Sequence, residues 1–209
     1  MSRLTILVST LLIAPYVLHT GSAIAQDATP DLPSYVTQSV IDSNALNSVR
    51  GRFAVNMAAG DSNTQANAAA VALGAQGGPT IGLVGGTQVT DPRQGNLPDV
   101  AIATIGGNVF ANSSGLISVN QTSGVGNAQA NGAAFALGFD EVVAESVLSA
   151  TTSNAAPIGT GTSKSHQTVS ISDTAFDGAH GLVQVNQSAG SGNSTANNFA
   201  LQVQLGAKP

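Results

Sequence analysis

The chain contains no cysteine and no tryptophan, and only 8% of its 209 residues are charged. Without cysteine there is no disulfide framework, no thiolate zinc site and no redox CxxC pair. Six Lys plus Arg leave no basic patch, which argues against nucleic-acid binding. Aromatic residues make up 4%, and the 42% hydrophobic fraction is mostly Ala and Val, so large core-filling side chains are scarce. A formal net charge of only −5 nevertheless sets the composition apart from that of a typical disordered chain.

Long apolar runs are also rare. Residues 1–25 read as a secretory signal peptide, with Arg3 as the basic start, Leu4 to Leu18 as the apolar stretch, and Ala23-Ile24-Ala25 as the small-x-small cleavage site. A membrane anchor needs about 20 uninterrupted apolar residues; Pro15, His19 and Thr20 come too early, and no segment of the mature chain is long enough. Cleavage leaves residues 26–209, with five basic and eleven acidic side chains and a net charge of −6. An exported protein is expected.

What the sequence does have is an internal repeat. Gly51 to Gly74, Gly115 to Gly138 and Gly181 to Gln204 align without a gap, the first two agreeing at 13 of 24 positions and the last two at 11 of 24. The shared pattern is G-x-x-x-V-N-x-x-x-G-x-x-N-x-x-A-N-x-x-A, and a weaker match extends upstream through Ala45-Leu46, Val109-Phe110 and Ala175-Phe176. The expected organisation is an N-terminal segment (26–38), repeat 1 (39–74), linker 1 (75–102), repeat 2 (103–138), linker 2 (139–168), repeat 3 (169–205) and a tail (206–209). Linker 1, with Gly77-Gly78-Pro79, Gly85-Gly86 and Pro98, reads as turns and loops. Linker 2 places Glu141 and Glu145 four apart, a spacing compatible with a short helix.

Each repeat reads as strand, turn, strand. Phe53 and Val55 alternate with smaller or polar neighbours, as do Ile117 and Val119, and Val183 and Val185. A Gly/Asn/Ser stretch follows, then a second run built on Ala and Asn. Taken alone, the Ala-rich run is also compatible with a helix, but a helix leaves the fixed Asn and Gly offsets unexplained. The predicted fold is all-β: a three-rung β-solenoid or cross-β stack with flexible linkers. Stacked in register about 4.8 Å apart, Asn56 falls over Asn120 and Asn186, Asn63 over Asn127 and Asn193, and Asn67 over Asn131 and Asn197. Amides arranged in this way hydrogen-bond along the column. The near absence of charge fits, because like charges stacked in register repel. Three rungs leave two open edges, and a head-to-tail contact through them does not close, so a filament is expected. No convincing end cap is evident, and Lys208 and Pro209, just past the third repeat, are a weak candidate.

The block from Gly51 to Ala70, GRFAVNMAAGDSNTQANAAA, resembles the repeat of the Fap functional amyloids of bacterial biofilms. Three repeats, two unequal linkers and a signal peptide are similar to that family's organisation too. The resemblance implies a secreted fibre subunit or nucleator that polymerises with itself, with other fibre subunits and an outer-membrane export pore as partners. It places Asn56, Gly60, Asn63, Gln65 and Asn67 in the amyloid core, with Asn120, Gly124, Asn127, Gln129 and Asn131, and with Asn186, Gly190, Asn193 and Asn197. Unlike the family's main fibre subunits, this chain lacks a C-terminal cysteine pair. A looser likeness to curli repeats has its spacing off by one.

Other functions have thinner support. His166, Asp173, Asp177 and His180 gather near repeat 3, but the counterparts of His180 are Arg50 and Ser114, so no shared chemistry recurs. No third ligand joins His166 and His180 in a metal pattern, and the repeats lack the regular Asp of calcium-binding arrays. Neither an enzyme, a metal nor a cofactor is expected. The alternative is a non-polymerising surface adhesin or carbohydrate-binding β-solenoid, which should display an end cap and an exposed aromatic or polar stripe; the six Phe fall mostly at apolar positions instead.

Overall fold

The computed structural model describes residues 35–91, 97–152 and 165–206. Residues 1–25, read from the sequence as a signal peptide, and Lys208 and Pro209 lie outside the described residues. Among the described residues eleven strands run in the order β1 (Val36–Ile41), β2 (Arg50–Ala59), β3 (Thr64–Leu73), β4 (Thr80–Thr90), β5 (Val100–Ile105), β6 (Ser114–Val125), β7 (Ala128–Gly138), β8 (Val142–Thr152), β9 (His166–Ile171), β10 (His180–Ser191) and β11 (Ser194–Gln204). All pairings are parallel, and each joins equivalent strands of successive repeats: β1-β5-β9, β2-β6-β10, β3-β7-β11 and β4-β8. The chain is thus an all-β stack of three layers, β1–β4, β5–β8 and β9–β11, with layer 2 in the middle.

The register is that of the gapless repeat alignment. Gly51 pairs with Gly115 and Gly115 with Gly181; Asn56, Asn120 and Asn186 align, as do Asn67, Asn131 and Asn197. Identical residues at equivalent positions place like on like, which a one-residue slip would destroy.

Three interiors separate the four sheets. Between the first and second sheets lies an apolar core of Ile41, Ile105, Val109, Phe110, Ile117 and Val119. The corner from β5 to β6 carries Phe110 into this core in a left-handed conformation (φ 58°), repeated by Leu46 (57°) and Phe176 (62°). Such a conformation costs a bulky residue on the order of 1–2 kcal/mol. Its return is that Phe110 is fully buried and stacks on Phe176, with ring centroids 5.3 Å apart and planes 9° apart; burying such a side chain contributes about 1.5–3 kcal/mol. Between the second and third sheets the interior is built from amides. The third and fourth sheets meet through small side chains, Ala130 and Ala134 against Val84 and Leu148.

Both linkers differ from expectation. Linker 1 contributes β4 and linker 2 contributes β8, paired from Thr80↔Val142 to Thr90↔Thr152. Thr80–Thr90 of the run proposed as turns and loops is therefore a strand, and the helix at Glu141 to Glu145 is absent. Val142, Val143 and Val147 are β-branched and favour the extended chain, whereas a spacing of four between two glutamates is a weak helix signal of a few tenths of a kcal/mol. Layer 3 has no fourth strand among the described residues. Two side chains of β11 close the edge of β8 there. Leu148 N–H donates to Asn198 Oδ1 at 2.7 Å, Asn198 Nδ2 donates to Leu148 O at 2.8 Å, and the Ser194 hydroxyl donates to Ala150 O.

Candidate self-assembly site

Asn56 and its counterparts face Asn67 and its counterparts across the second and third sheets, and the two columns merge into one zigzag. Asn67 Nδ2 donates to Asn56 Oδ1 at 2.7 Å. Asn120 Nδ2 donates to Asn56 Oδ1 at 3.0 Å and to Asn67 Oδ1 at 3.1 Å. Asn131 Nδ2 donates to Asn67 Oδ1 and Asn120 Oδ1, at 3.0 and 2.9 Å. Layer 3 repeats the pattern, with Asn186 donating to Asn120 and Asn131 and Asn197 donating to Asn131 and Asn186. Between layers, every bond of the zigzag runs from the amide nitrogen of the later repeat to the oxygen of the earlier one. In the middle layer Asn120, Asn127, Gln129 and Asn131 have no solvent exposure. Buried amides are stable only when paired, and these four are.

The second column sits in the turn. Asn127 backbone N–H and Nδ2 both donate to Asn63 Oδ1, at 3.0 and 2.9 Å, and Asn193 repeats this onto Asn127 Oδ1 at 3.0 and 2.8 Å. Asn63 Nδ2 and Asn127 Nδ2 donate the other way, to Gly124 O and Gly190 O. The turn needs glycine at its start: Gly60, Gly124 and Gly190 have φ of 96°, 125° and 102°, a region that side chains rarely enter. A Cβ on Gly60 would overlap the carbonyl oxygen of Gly124, and one on Gly124 that of Gly190. The glutamine column is broken. Gln65 Nε2 donates to Gln129 Oε1 at 2.8 Å, but Thr195 takes the third place.

Among the described residues the two ends of the stack are open and unlike. Asn56 is exposed in layer 1, and among the described residues its Nδ2 donates no hydrogen bond. In layer 3 the oxygens Asn193 Oδ1 and Asn197 Oδ1 accept none from the described residues. A Cβ on Gly115 or Gly181 would overlap the layer before it, whereas one on Gly51 would meet nothing within 4 Å. One end offers donors and open space; the other offers acceptors.

The model of the functional amyloid protein FapB/FapC family matches residues 21–204. The chain belongs to this family. No solved structure matches it. Membership makes it a functional amyloid protein, and its in-register parallel layers are the corresponding cross-β-like architecture.

Two further contributors were not among the predicted residues. Gln121 Nε2 donates to Ser39 O and Thr104 O, both at 2.9 Å, and Gln187 Nε2 donates to Gln121 Oε1 at 2.9 Å, tying the first sheet to the second. Met57 holds their position in layer 1, so this column does not recur in all three repeats and escapes a search for shared residues. Asn198 is the other, matched by Ala68 and Gly132 in the earlier layers. Of the residues near repeat 3, His166 and His180 stand exposed at the first positions of β9 and β10, while Asp173 and Asp177 lie in the turn between those strands. Among the described residues no group of three or more His, Asp or Glu could hold a metal ion.

Proposed function

We propose that the mature chain polymerises head to tail into extracellular fibres of a biofilm matrix, layer 1 of each copy adding to layer 3 of the previous one. The observation that carries this reading is the complementarity of the two ends. Repeating the internal pattern across the junction directs Asn56 Nδ2 of the incoming copy at Asn186 Oδ1 and Asn197 Oδ1, and the Asn63 amide groups at Asn193 Oδ1. A junction between like ends would set donors against donors or acceptors against acceptors. The axis is therefore polar.

Charge placement supports the same reading. In the paired strands no column holds two residues of like formal charge: Arg50 aligns with Ser114 and His180, Arg52 with Leu116 and Leu182, and Glu145 with Leu83. In a stack of copies each arginine recurs only every third layer, about 14 Å apart, which exceeds the screening length of about 8 Å at physiological salt. Residues 1–25 direct export, and an outer-membrane pore passes the chain to the surface. The test is dilution of residues 26–209 from denaturant with and without preformed fibres. Fibre reflections near about 4.7 and 10 Å and a lag removed by seeds are expected. A trace of this chain that shortens the lag of another subunit assigns it the nucleator role, and a stable soluble monomer refutes polymerisation.

A further inference from the structure

Resting on the head-to-tail reading, we infer that Met57 and Gln187 together set which layer the layer-3 end accepts. That end is better matched by a repeat layer with an amide side chain at the Met57 position than by this chain's own layer 1. Within the molecule the glutamine column follows one rule. Gln121 donates to a carbonyl of the layer before it (Ser39) and one of its own layer (Thr104), while its Oε1 accepts from the layer after it, through Gln187 Nε2. Gln187 follows the same rule, donating to Ala103 O at 3.1 Å and Ser170 O at 3.0 Å. Its Oε1 is buried and has no partner among the described residues.

The next donor along the column would be residue 57 of an incoming copy, and a methionine thioether donates nothing. A buried acceptor left unpaired is costly. Thr195 Oγ1 is buried and unpartnered as well, but the incoming layer brings Gln65 to its register, with an amide able to pair with it. Of these two buried atoms, only Gln187 Oε1 faces a residue with no matching group. The partner this chemistry selects is an extended repeat layer reading V-N-Q at this place, as layers 2 and 3 do in Val119-Asn120-Gln121 and Val185-Asn186-Gln187.

The test compares critical concentrations for elongation of wild-type seeds by residues 26–209 carrying Met57, Met57→Gln or Met57→Leu. One added hydrogen bond to the buried acceptor predicts a value about tenfold lower for Met57→Gln, with Met57→Leu within about twofold of wild type on the same scale. On Gln187→Ala seeds most of that gain disappears. No gain for Met57→Gln, or an equal gain on Gln187→Ala seeds, overturns the inference. Met57→Glu tests it independently, because its carboxyl donates only when protonated. Its elongation should improve in acid relative to that of Met57→Leu, and an equal pH response overturns the inference. If the wild-type chain itself forms no fibres, it is the head-to-tail reading that fails.

Discussion

Replacing Asn63, Asn127 and Asn193 together by aspartate puts three carboxylates in one column at successive layers. At about 4.8 Å spacing and an effective dielectric near 20, each adjacent pair repels by about 3.5 kcal/mol. Two such pairs within one chain give about 7 kcal/mol, comparable with the whole stability of an ordinary domain. The exchange also removes the Nδ2 donors that reach Gly124 O and Gly190 O and leaves carboxylate oxygens facing those carbonyls. Assembly of the triple variant should be abolished near neutral pH, read as loss of seeded fibre growth. The repulsion raises the carboxyl pKa values of the folded stack above the unfolded value of about 3.9. The penalty is then fully present above the raised values and shrinks as pH falls towards about 4, so acid should restore growth. Normal kinetics at neutral pH would refute the ladder. An unassembled state that acid leaves unchanged would refute the electrostatic cause.

Other expectations follow from single contacts. Gly124→Ala, which combines φ 125° with overlap onto Gly190 O, should prevent stacking of layers 2 and 3, seen as loss of protected amides in hydrogen exchange. Phe110→Ala removes a fully buried ring stacked on Phe176 and should cost about 3–5 kcal/mol in denaturant unfolding. Asn198→Ala exposes the edge of β8 at Leu148 and should raise amide exchange there while leaving the Asn120 column protected. Tyr35 donates to Asp61 Oδ2 at 3.3 Å, and burial first, then the Asp61 charge and this bond, raise its phenol above 10.0. Its contribution to stability is complete below about pH 10 and is lost as pH rises through the raised value. In Asp61→Asn the midpoint should move back towards 10.0, measured by absorbance on this one tyrosine of residues 26–209.

The layers were legible in the sequence because each is read against its neighbours. Gly51, Val55, Asn56 and Asn63 recur at constant offsets, and parallel in-register pairing is the arrangement that uses every recurrence. Other features carried no recurrence to find. The chain from Leu73 to Thr80 is two residues longer than that from Leu137 to Val142, although both pairs are aligned. The gapless match therefore ends before β4 and β8, and their mutual pairing leaves no trace in it. Met57 hides the Gln121–Gln187 column in the same way. Asn198 closes the edge of β8 that faces layer 3, so its role is visible only once β8 is placed. The union of two asparagine columns was also hidden, because Asn56 and Asn67 lie on different strands and meet only when the turn at Gly60 folds one sheet over the other.

The most direct test of the central claim is the mass per length of fibres grown from residues 26–209. Three layers per chain stacked head to tail predict one copy per about 14 Å of fibre axis, with strands repeating at about 4.8 Å. One copy per about 4.8 Å would mean that each chain lies in a single layer, contradicting a stack in which every molecule contributes three.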